Sequence, residues 1–367
     1  MNYSEKIIEL SKRTKQLTIV PFGQSFLWCN NNCSFCYLKD YLQKKPLSIE
    51  RVRKITSRID EWIIQYKDML DADTKIKVNL IGGELFSLGK EYYDEYRYLL
   101  DVVSKHFKQI DVSLFSNLIY NNIDMLISLS KDYNTSIVTS FDVNGRFKSE
   151  NDAKLWWSNL NILKDSNIEL DVELTLSKEM INRYVYQKDY YTMMLDRILN
   201  DSYWTVNADI LIPNSDDNYS NIPTQNDLIL FYKTIYDRHR DANIDLLKYE
   251  DIDDNEEYDI FSDCARLQFN ENGIIELYCD DVHRMITKQH VNQNILKDED
   301  IKSDFICVVK EKKIKYYFDN VYGCSSCNVR GYCKKKKLRE CYRTRNYAIW
   351  EDKCWIKPIL KYVKKNG

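Results

Sequence analysis

The run Cys29-Asn30-Asn31-Asn32-Cys33-Ser34-Phe35-Cys36-Tyr37 sets three thiols in one short loop. Thiolates at this spacing wrap one corner of an iron–sulfur cube and leave one iron without a protein ligand. An electron-transfer cluster is normally closed by four cysteines. The missing fourth is therefore informative, because an open metal position is where a small molecule binds and reacts. A structural zinc site wants four ligands, yet no cysteine precedes Cys29 and the first histidine of the chain is His106. Three unconnected reduced thiols are the remaining alternative. The spacing favours the open iron–sulfur site over both.

Around this loop, strand-like and helix-like segments alternate. Short apolar or β-branched runs predict strands over Leu17–Val20, Ile76–Ile81, Ile110–Phe115, Ser136–Phe141, Ile168–Leu174 and Val206–Ile212. Helical spacing of apolar residues predicts helices over Ile49–Met69, with Val52, Ile55, Ile59, Ile63 and Ile64 on its stripe. It predicts others over Tyr92–His106, Ile123–Lys131, Ala153–Lys164, Tyr190–Leu199 and Asp227–His239. Six βα units make an α/β fold with a parallel sheet curled into a partial or full TIM-like barrel. Active sites in such folds collect at the C-terminal strand ends, and the Cys29 loop follows the first strand.

The chain has 367 residues, 44% of them hydrophobic, enough for one large domain and a smaller one. A net charge of -3 argues against a general nucleic-acid binder. No apolar stretch reads as a signal peptide or a membrane span, so the expected location is the cytoplasm, where thiols stay reduced. Eleven cysteines against four scattered histidines then point to cysteine-ligated metal. Eight of the cysteines fall after an acidic stretch, EDIDDNEEYD, that marks a change of character near residue 245. The predicted division is residues 1–245 as the barrel and 246–367 as a loop-rich domain stapled by metal. Within the latter, FNENGIIELYC reads as a β-hairpin turning at Asn272-Gly273.

Gly82-Gly83-Glu84 follows the strand KVNLI directly. Adjacent glycines at a strand end permit close backbone approach, and the glutamate adds a fixed acceptor. Together with Cys29-x3-Cys33-x2-Cys36 and Phe35, this resembles the radical SAM superfamily over about residues 17–245. The resemblance implies a partial (βα)6 barrel with a [4Fe–4S] cluster on Cys29, Cys33 and Cys36. It implies S-adenosylmethionine (SAM) on the open iron, split by one electron to methionine and a 5′-deoxyadenosyl radical that removes hydrogen from substrate. It further implies SAM contacts at Tyr37, Gly82, Gly83, Glu84, Asn117, Ser140, Asp142, Arg146 and Leu211. Ser140-Phe141-Asp142 stands for the family's Ser-x-Asp, with the serine on the SAM ribose. Arg146 would pair with the SAM carboxylate, and Leu211 would meet adenine through its backbone. One departure is Leu85, where the family often has the turn-stiffening proline.

The later cysteines resemble the SPASM domain, which carries auxiliary iron–sulfur clusters in radical SAM enzymes that mature peptides and proteins. The resemblance implies one cluster on Cys324, Cys327, Cys333 and Cys354. A second would rest on Cys264, Cys279 and Cys341, one ligand short, with Cys307 as a substitute. One or two auxiliary clusters are thus expected, a zinc ribbon being the alternative. Asp280, directly after Cys279, matches the general base of anaerobic sulfatase-maturating enzymes.

The resemblance implies an oxidoreductase acting on a ribosomally made peptide or protein, by side-chain oxidation or by a thioether, C–C or C–O cross-link. The alternatives are formylglycine formation on a sulfatase and dehydrogenation of a small molecule. Expected partners are the peptide substrate and an electron donor such as flavodoxin or ferredoxin. With the first cysteine at position 29, no winged-helix recognition domain fits ahead of it. A separate leader-recognition protein, or direct leader binding, is expected in its place. Lys334–Lys337 with Arg339, Arg343 and Arg345 reads as a solvated basic face.

Overall fold

A computed structural model describes residues 3–33, 36, 42–143, 145–210, 221–242, 244, 265–275 and 355–366. Six strands, each followed by a helix, alternate along the first two-thirds. They are β1 (Gln16–Val20), β2 (Lys75–Leu80), β3 (Ile110–Phe115), β4 (Ser136–Phe141), β5 (Leu170–Leu176) and β6 (Thr205–Ile210). The helices are α1 (Tyr3–Thr14) ahead of β1, then α2 (Ile49–Tyr66), α3 (Lys90–His106), α4 (Asp124–Tyr133), α5 (Glu150–Asp165), α6 (Lys178–Tyr186), α7 (Tyr190–Asn200) and α8 (Gln225–Arg238). Strands β7 (Arg266–Asn270) and β8 (Gly273–Ile275) and helix α9 (Ile356–Asn366) follow. The architecture is the mostly parallel α/β arrangement expected from the sequence.

The chain divides into two compact units: Met1–Glu173 with Ser262–Glu276, and Leu174–Phe261 with Leu277–Gly367. In the first, β1 pairs in parallel with β2, β2 with β3 and β3 with β4. Register aligns Ile19 with Val78, Val78 with Val112, and Leu114 with Ile137, and all five of these side chains are buried. That apolar face lies under the helices: Trp156 of α5 donates its indole N–H to Thr139 Oγ1 at 3.0 Å. Fully burying each such aliphatic side chain contributes about 1.5–3 kcal/mol. The opposite face is polar, with Lys77 beside Thr18, Asn79 beside Ser113, and the Ser113 and Ser136 hydroxyls 3.2 Å apart.

Local chemistry sets the helix ends. Ser48 caps α2, and the Ser149/Asp152 pair closes a capping box on α5. Asn134 ends α4 in the left-handed conformation at φ 48°, which asparagine tolerates better than most residues. The buried stripe of α2 is Val52, Ile55, Thr56, Ile59, Trp62 and Ile63. Ile64, expected on that stripe, is 60% exposed, because its neighbour Ile63 already occupies the inward position.

The hairpin forms, but its two-residue turn is Glu271-Asn272, one residue earlier than expected, because Asn270 pairs with Gly273, which opens β8 at φ 128°. Its first strand runs parallel to β1, Thr18 opposite Arg266 and Val20 opposite Gln268. The hairpin thus extends the first unit's sheet, whereas the sequence assigned it to the region after residue 245. In the second unit, Tyr184 of α6, Asp196 of α7 and His239 after α8 meet: His239 Nε2 lies 2.8 Å from Asp196 Oδ1, and Tyr184 donates to that same oxygen at 2.9 Å. Helix α9 packs on α8, with Tyr232 stacked on Trp355 at 5.8 Å between ring centroids. No helix among the described residues is long and apolar enough to cross a membrane.

Candidate active site

After Val20 the chain turns through Gly23–Ser25, and Ser25 Oγ anchors it by donating to the Phe269 carbonyl at 2.7 Å. Residues 26–28 then run against the turn that follows β2. The Gly83 N–H donates to Phe26 O at 2.7 Å and the Glu84 N–H to Trp28 O at 2.8 Å. A Cβ at Gly83 would stand 1.9 Å from Trp28 O, and one at Gly82 would stand 3.0 Å from Phe26 O. The paired glycines therefore admit the backbone leading into Cys29. The close approach expected from them is an approach of chain to chain.

Glu84 is fully buried. Its carboxylate accepts from the Phe86 N–H at 3.0 Å, the Asn117 N–H at 2.6 Å and the Ser116 hydroxyl at 3.2 Å. Burial pushes this carboxyl up to about 7, against those donors and the charge of Arg146. The group ties the end of β2 to the end of β3. Leu85 and Phe86 complete the turn, their carbonyls held by the hydroxyls of Tyr96 at 3.1 Å and Tyr93 at 2.6 Å. Two tyrosines of α3 thus restrain the turn where a proline would stiffen it.

The three cysteines lie on this support. The Cys36 N–H donates to Cys33 O at 3.2 Å, tying the last two together. Cys29 Sγ accepts from the Asn31 N–H at 3.4 Å and lies 3.8 Å from Asn117 Nδ2. Cys33 Sγ accepts from Asn31 Nδ2 at 3.5 Å. Burial pushes the Cys29 thiol up to about 11, the Asn31 N–H opposes this, and the charges of Glu84, Cys33 and Cys36 add to it. Burial raises Cys33 as well, opposed by the positive charge of Arg146. N–H donors aimed at sulfur favour thiolate over thiol, so this donor set fits anionic metal ligands. Among the described residues no three of His, Cys, Asp and Glu gather tightly enough to share a single metal ion. A cluster makes no such demand, since each thiolate binds its own iron.

The ends of β3 and β4 complete the arrangement. Asn117 donates from Nδ2 to Asn30 Oδ1 at 2.7 Å and accepts the Ile119 N–H at 2.8 Å. Asn30 in turn donates to Ile119 O at 2.9 Å. Ser140 is half-buried near the end of β4. Asp142 is buried and accepts the Gly145 N–H at 2.7 Å, setting the turn that delivers Arg146. The Arg146 carbonyl accepts from Asn31 Nδ2 at 2.8 Å.

Of the residues expected to serve the site, Cys29, Cys33, Cys36, Gly82, Gly83, Glu84, Asn117, Asp142 and Arg146 are linked by these contacts, and Ser140 leads into them on β4. Phe35, Tyr37, Leu211, Asp280 and Cys264, Cys279, Cys307, Cys324, Cys327, Cys333, Cys341 and Cys354 lie outside the described residues. Asn30, Asn31, Ser116, Tyr93 and Tyr96 were not expected. For Asn30 and Asn31 the one signal was the triple asparagine between two cysteines, a run with no periodicity to read; no local pattern marked Ser116, Tyr93 or Tyr96.

No family model matches the chain, and no curated protein matches it. Solved structures do. The structure described as native anSMEcpe with bound AdoMet aligns at a TM-score of 0.53 and 15% identity, over 96% of this chain and 100% of that one. A polyhistidine-tagged anSMEcpe with bound AdoMet aligns at 0.45 and 14% identity, over 60% of this chain and 59% of that one. SuiB of Streptococcus suis bound to precursor peptide SuiA aligns at 0.46 and 14%, over 92% of this chain and 76% of that one. The chain therefore spans less than two-thirds of the tagged anSMEcpe. The alignment with native anSMEcpe along nearly the whole chain establishes a shared fold.

Proposed function

We propose that this chain, whose fold is that of the radical SAM enzymes, cleaves SAM reductively and modifies a ribosomally made peptide. The observation that carries the reading is the hydrogen-bonded junction of the Cys29 loop with Gly82-Gly83-Glu84, at the C-terminal ends of β1 and β2. In this reading Cys29, Cys33 and Cys36 hold a [4Fe–4S] cluster. When bound, the cluster supplies the electron that splits SAM and so generates the hydrogen-abstracting carbon radical.

The protein's own residues supply position. Glu84 braces the turn beneath the cysteine loop, Asn31 directs N–H groups at two sulfurs, and Arg146 places positive charge near Cys33. Gly82 and Gly83 offer backbone at the strand end, and Ser140, Asp142 and Asn117 stand at neighbouring strand ends to receive SAM. The AdoMet held by the aligned anSMEcpe supports SAM as the ligand. The SPASM-like cysteines support one or two auxiliary clusters and a polypeptide substrate, with Asp280 as base, oxidation or cross-linking as the outcome, and flavodoxin or ferredoxin as electron source.

Anaerobic reconstitution with iron and sulfide, followed by reduction in the presence of SAM, tests the proposal. The expected product is 5′-deoxyadenosine, lost in Cys36→Ala. Absence of cleavage by the reconstituted wild type, or cleavage that persists in Cys36→Ala, refutes it.

A further inference from the structure

Asn31 is 5% exposed, and its backbone N–H and both polar atoms of its side chain are engaged. The backbone N–H meets Cys29 Sγ at 3.4 Å, and the side-chain Nδ2 meets Cys33 Sγ at 3.5 Å and the Arg146 carbonyl at 2.8 Å. Its Oδ1 accepts the Asn32 N–H at 2.9 Å. One residue thus directs N–H donors at two of the three sulfurs and fastens the loop to the segment after β4. Burying a carboxamide is unfavourable unless each group is paired. Here one of the carboxamide's partners is a sulfur, that of Cys33, while the backbone N–H meets the sulfur of Cys29.

We infer that Asn31 is a positioning residue that sets the electron affinity of the metal group on Cys29 and Cys33; this rests on the iron–sulfur reading proposed above. The physics is electrostatic. A one-electron reduction adds negative charge spread onto the thiolate sulfurs. N–H dipoles fixed at those sulfurs stabilise the added charge, and they do so more strongly where water is excluded. Cys33 is buried, so the Nδ2 dipole acts there with little solvent screening. Removing the side chain keeps the backbone N–H to Cys29 and deletes the donor to Cys33. Replacing the amide by a carboxylate deletes the donor and adds a negative charge beside the same sulfur. It also sets two acceptors against each other at the Arg146 carbonyl.

The experiment is a redox titration of the reconstituted full-length protein, followed by electron paramagnetic resonance, on wild type, Asn31→Ala, Asn31→Ser and Asn31→Asp. Iron content and circular dichroism are measured alongside. The expected result is a midpoint potential more negative in Asn31→Ala than in wild type, more negative again in Asn31→Asp, at unchanged iron content and fold. Asn31→Ser serves if the alanine variant loses fold or iron, and the same negative shift is expected of it. Midpoints equal to wild type in the variants that retain the cluster overturn the inference and leave the function proposal standing. A wild-type protein that forms no cluster under reconstitution removes both.

Discussion

The backbone of Gly83 lies so close to Trp28 that a Cβ on the glycine would stand 1.9 Å from the tryptophan carbonyl oxygen. No heavy atom tolerates that separation. Two neighbouring hydrogen bonds, Gly83 N–H to Phe26 O at 2.7 Å and Glu84 N–H to Trp28 O at 2.8 Å, prevent the two segments from parting without further cost. The obstructing atom is backbone and leads straight into Cys29.

Gly83→Ala should therefore cost about 2–4 kcal/mol of stability and displace the cysteine loop. Gly82→Ala meets Phe26 O at 3.0 Å and the flexible end of Leu85 at 3.2 Å, a milder collision. Chemical unfolding and iron uptake of the two variants should rank Gly83→Ala well below Gly82→Ala. Equal behaviour would contradict the packing described.

Glu84 gives the fold a pH dependence of definite sign. Its carboxyl lies near 7 in the folded chain against an ordinary value of 4.5, burial being the main cause. The folded state holds this proton more tightly than the unfolded one. The contribution is full below about 4.5, declines as pH rises, and is lost above about 7, a change of about 3 kcal/mol. Melting of metal-free protein between pH 5 and pH 8 should show the decline. In Glu84→Gln the slope should flatten, while the melting temperature at pH 5 drops because the amide NH2 must face the N–H of Phe86 or Asn117.

Cys29 should be a slow nucleophile in metal-free protein. With its thiol pushed from 9.0 to about 11 by burial, the thiolate fraction at pH 8 falls about 100-fold relative to an ordinary cysteine. Iodoacetamide labelling followed by mass spectrometry should find Cys29 among the slowest sites at pH 8, with a rate still rising at pH 10. Labelling at the speed of a free thiol would contradict the partial burial of this cysteine.

Tyr93→Phe removes the donor that meets the Phe86 carbonyl at 2.6 Å, and Tyr96→Phe removes the one at the Leu85 carbonyl, 3.1 Å away. Each change should cost about 1–3 kcal/mol, because a buried carbonyl loses its partner. Under the proposed function, each should also weaken SAM binding, measured by equilibrium dialysis on reconstituted protein. The double variant should weaken it more than either single change.

The order of elements was legible along the chain because each predicted strand and helix carries its own apolar period. The strand predicted over Ile168–Leu174 is β5 at Leu170–Leu176, and the helix predicted over Tyr190–Leu199 is α7 at Tyr190–Asn200. Helix α6 was missed because it starts two residues after β5, capped by Ser177, leaving no polar loop to mark its start. Helix α9 was missed among the lysines of the C-terminus. At the candidate site, the three cysteines stood out by their covalent spacing and the two glycines by their place directly after a strand. Glu84 was legible as a special residue, but its partners were not: Ser116 and the N–H of Asn117 come from another strand end, 32 and 33 residues onward.

What the sequence by itself determined is the alternation of strands and helices and the placement of a thiol loop at the end of the first strand. Those are local properties, fixed by side-chain period and short-range spacing. The tertiary structure decided how that loop is held. Gly83 meets Trp28, Glu84 closes on the end of β3, and Asn31 reaches both Cys33 and the carbonyl of Arg146. It also decided that the β7–β8 hairpin extends the sheet beside β1. Most of these contacts join residues distant in the chain. Pairing across such separations depends on which buried donors and acceptors the folded sheet brings together, and no short-range pattern encodes it.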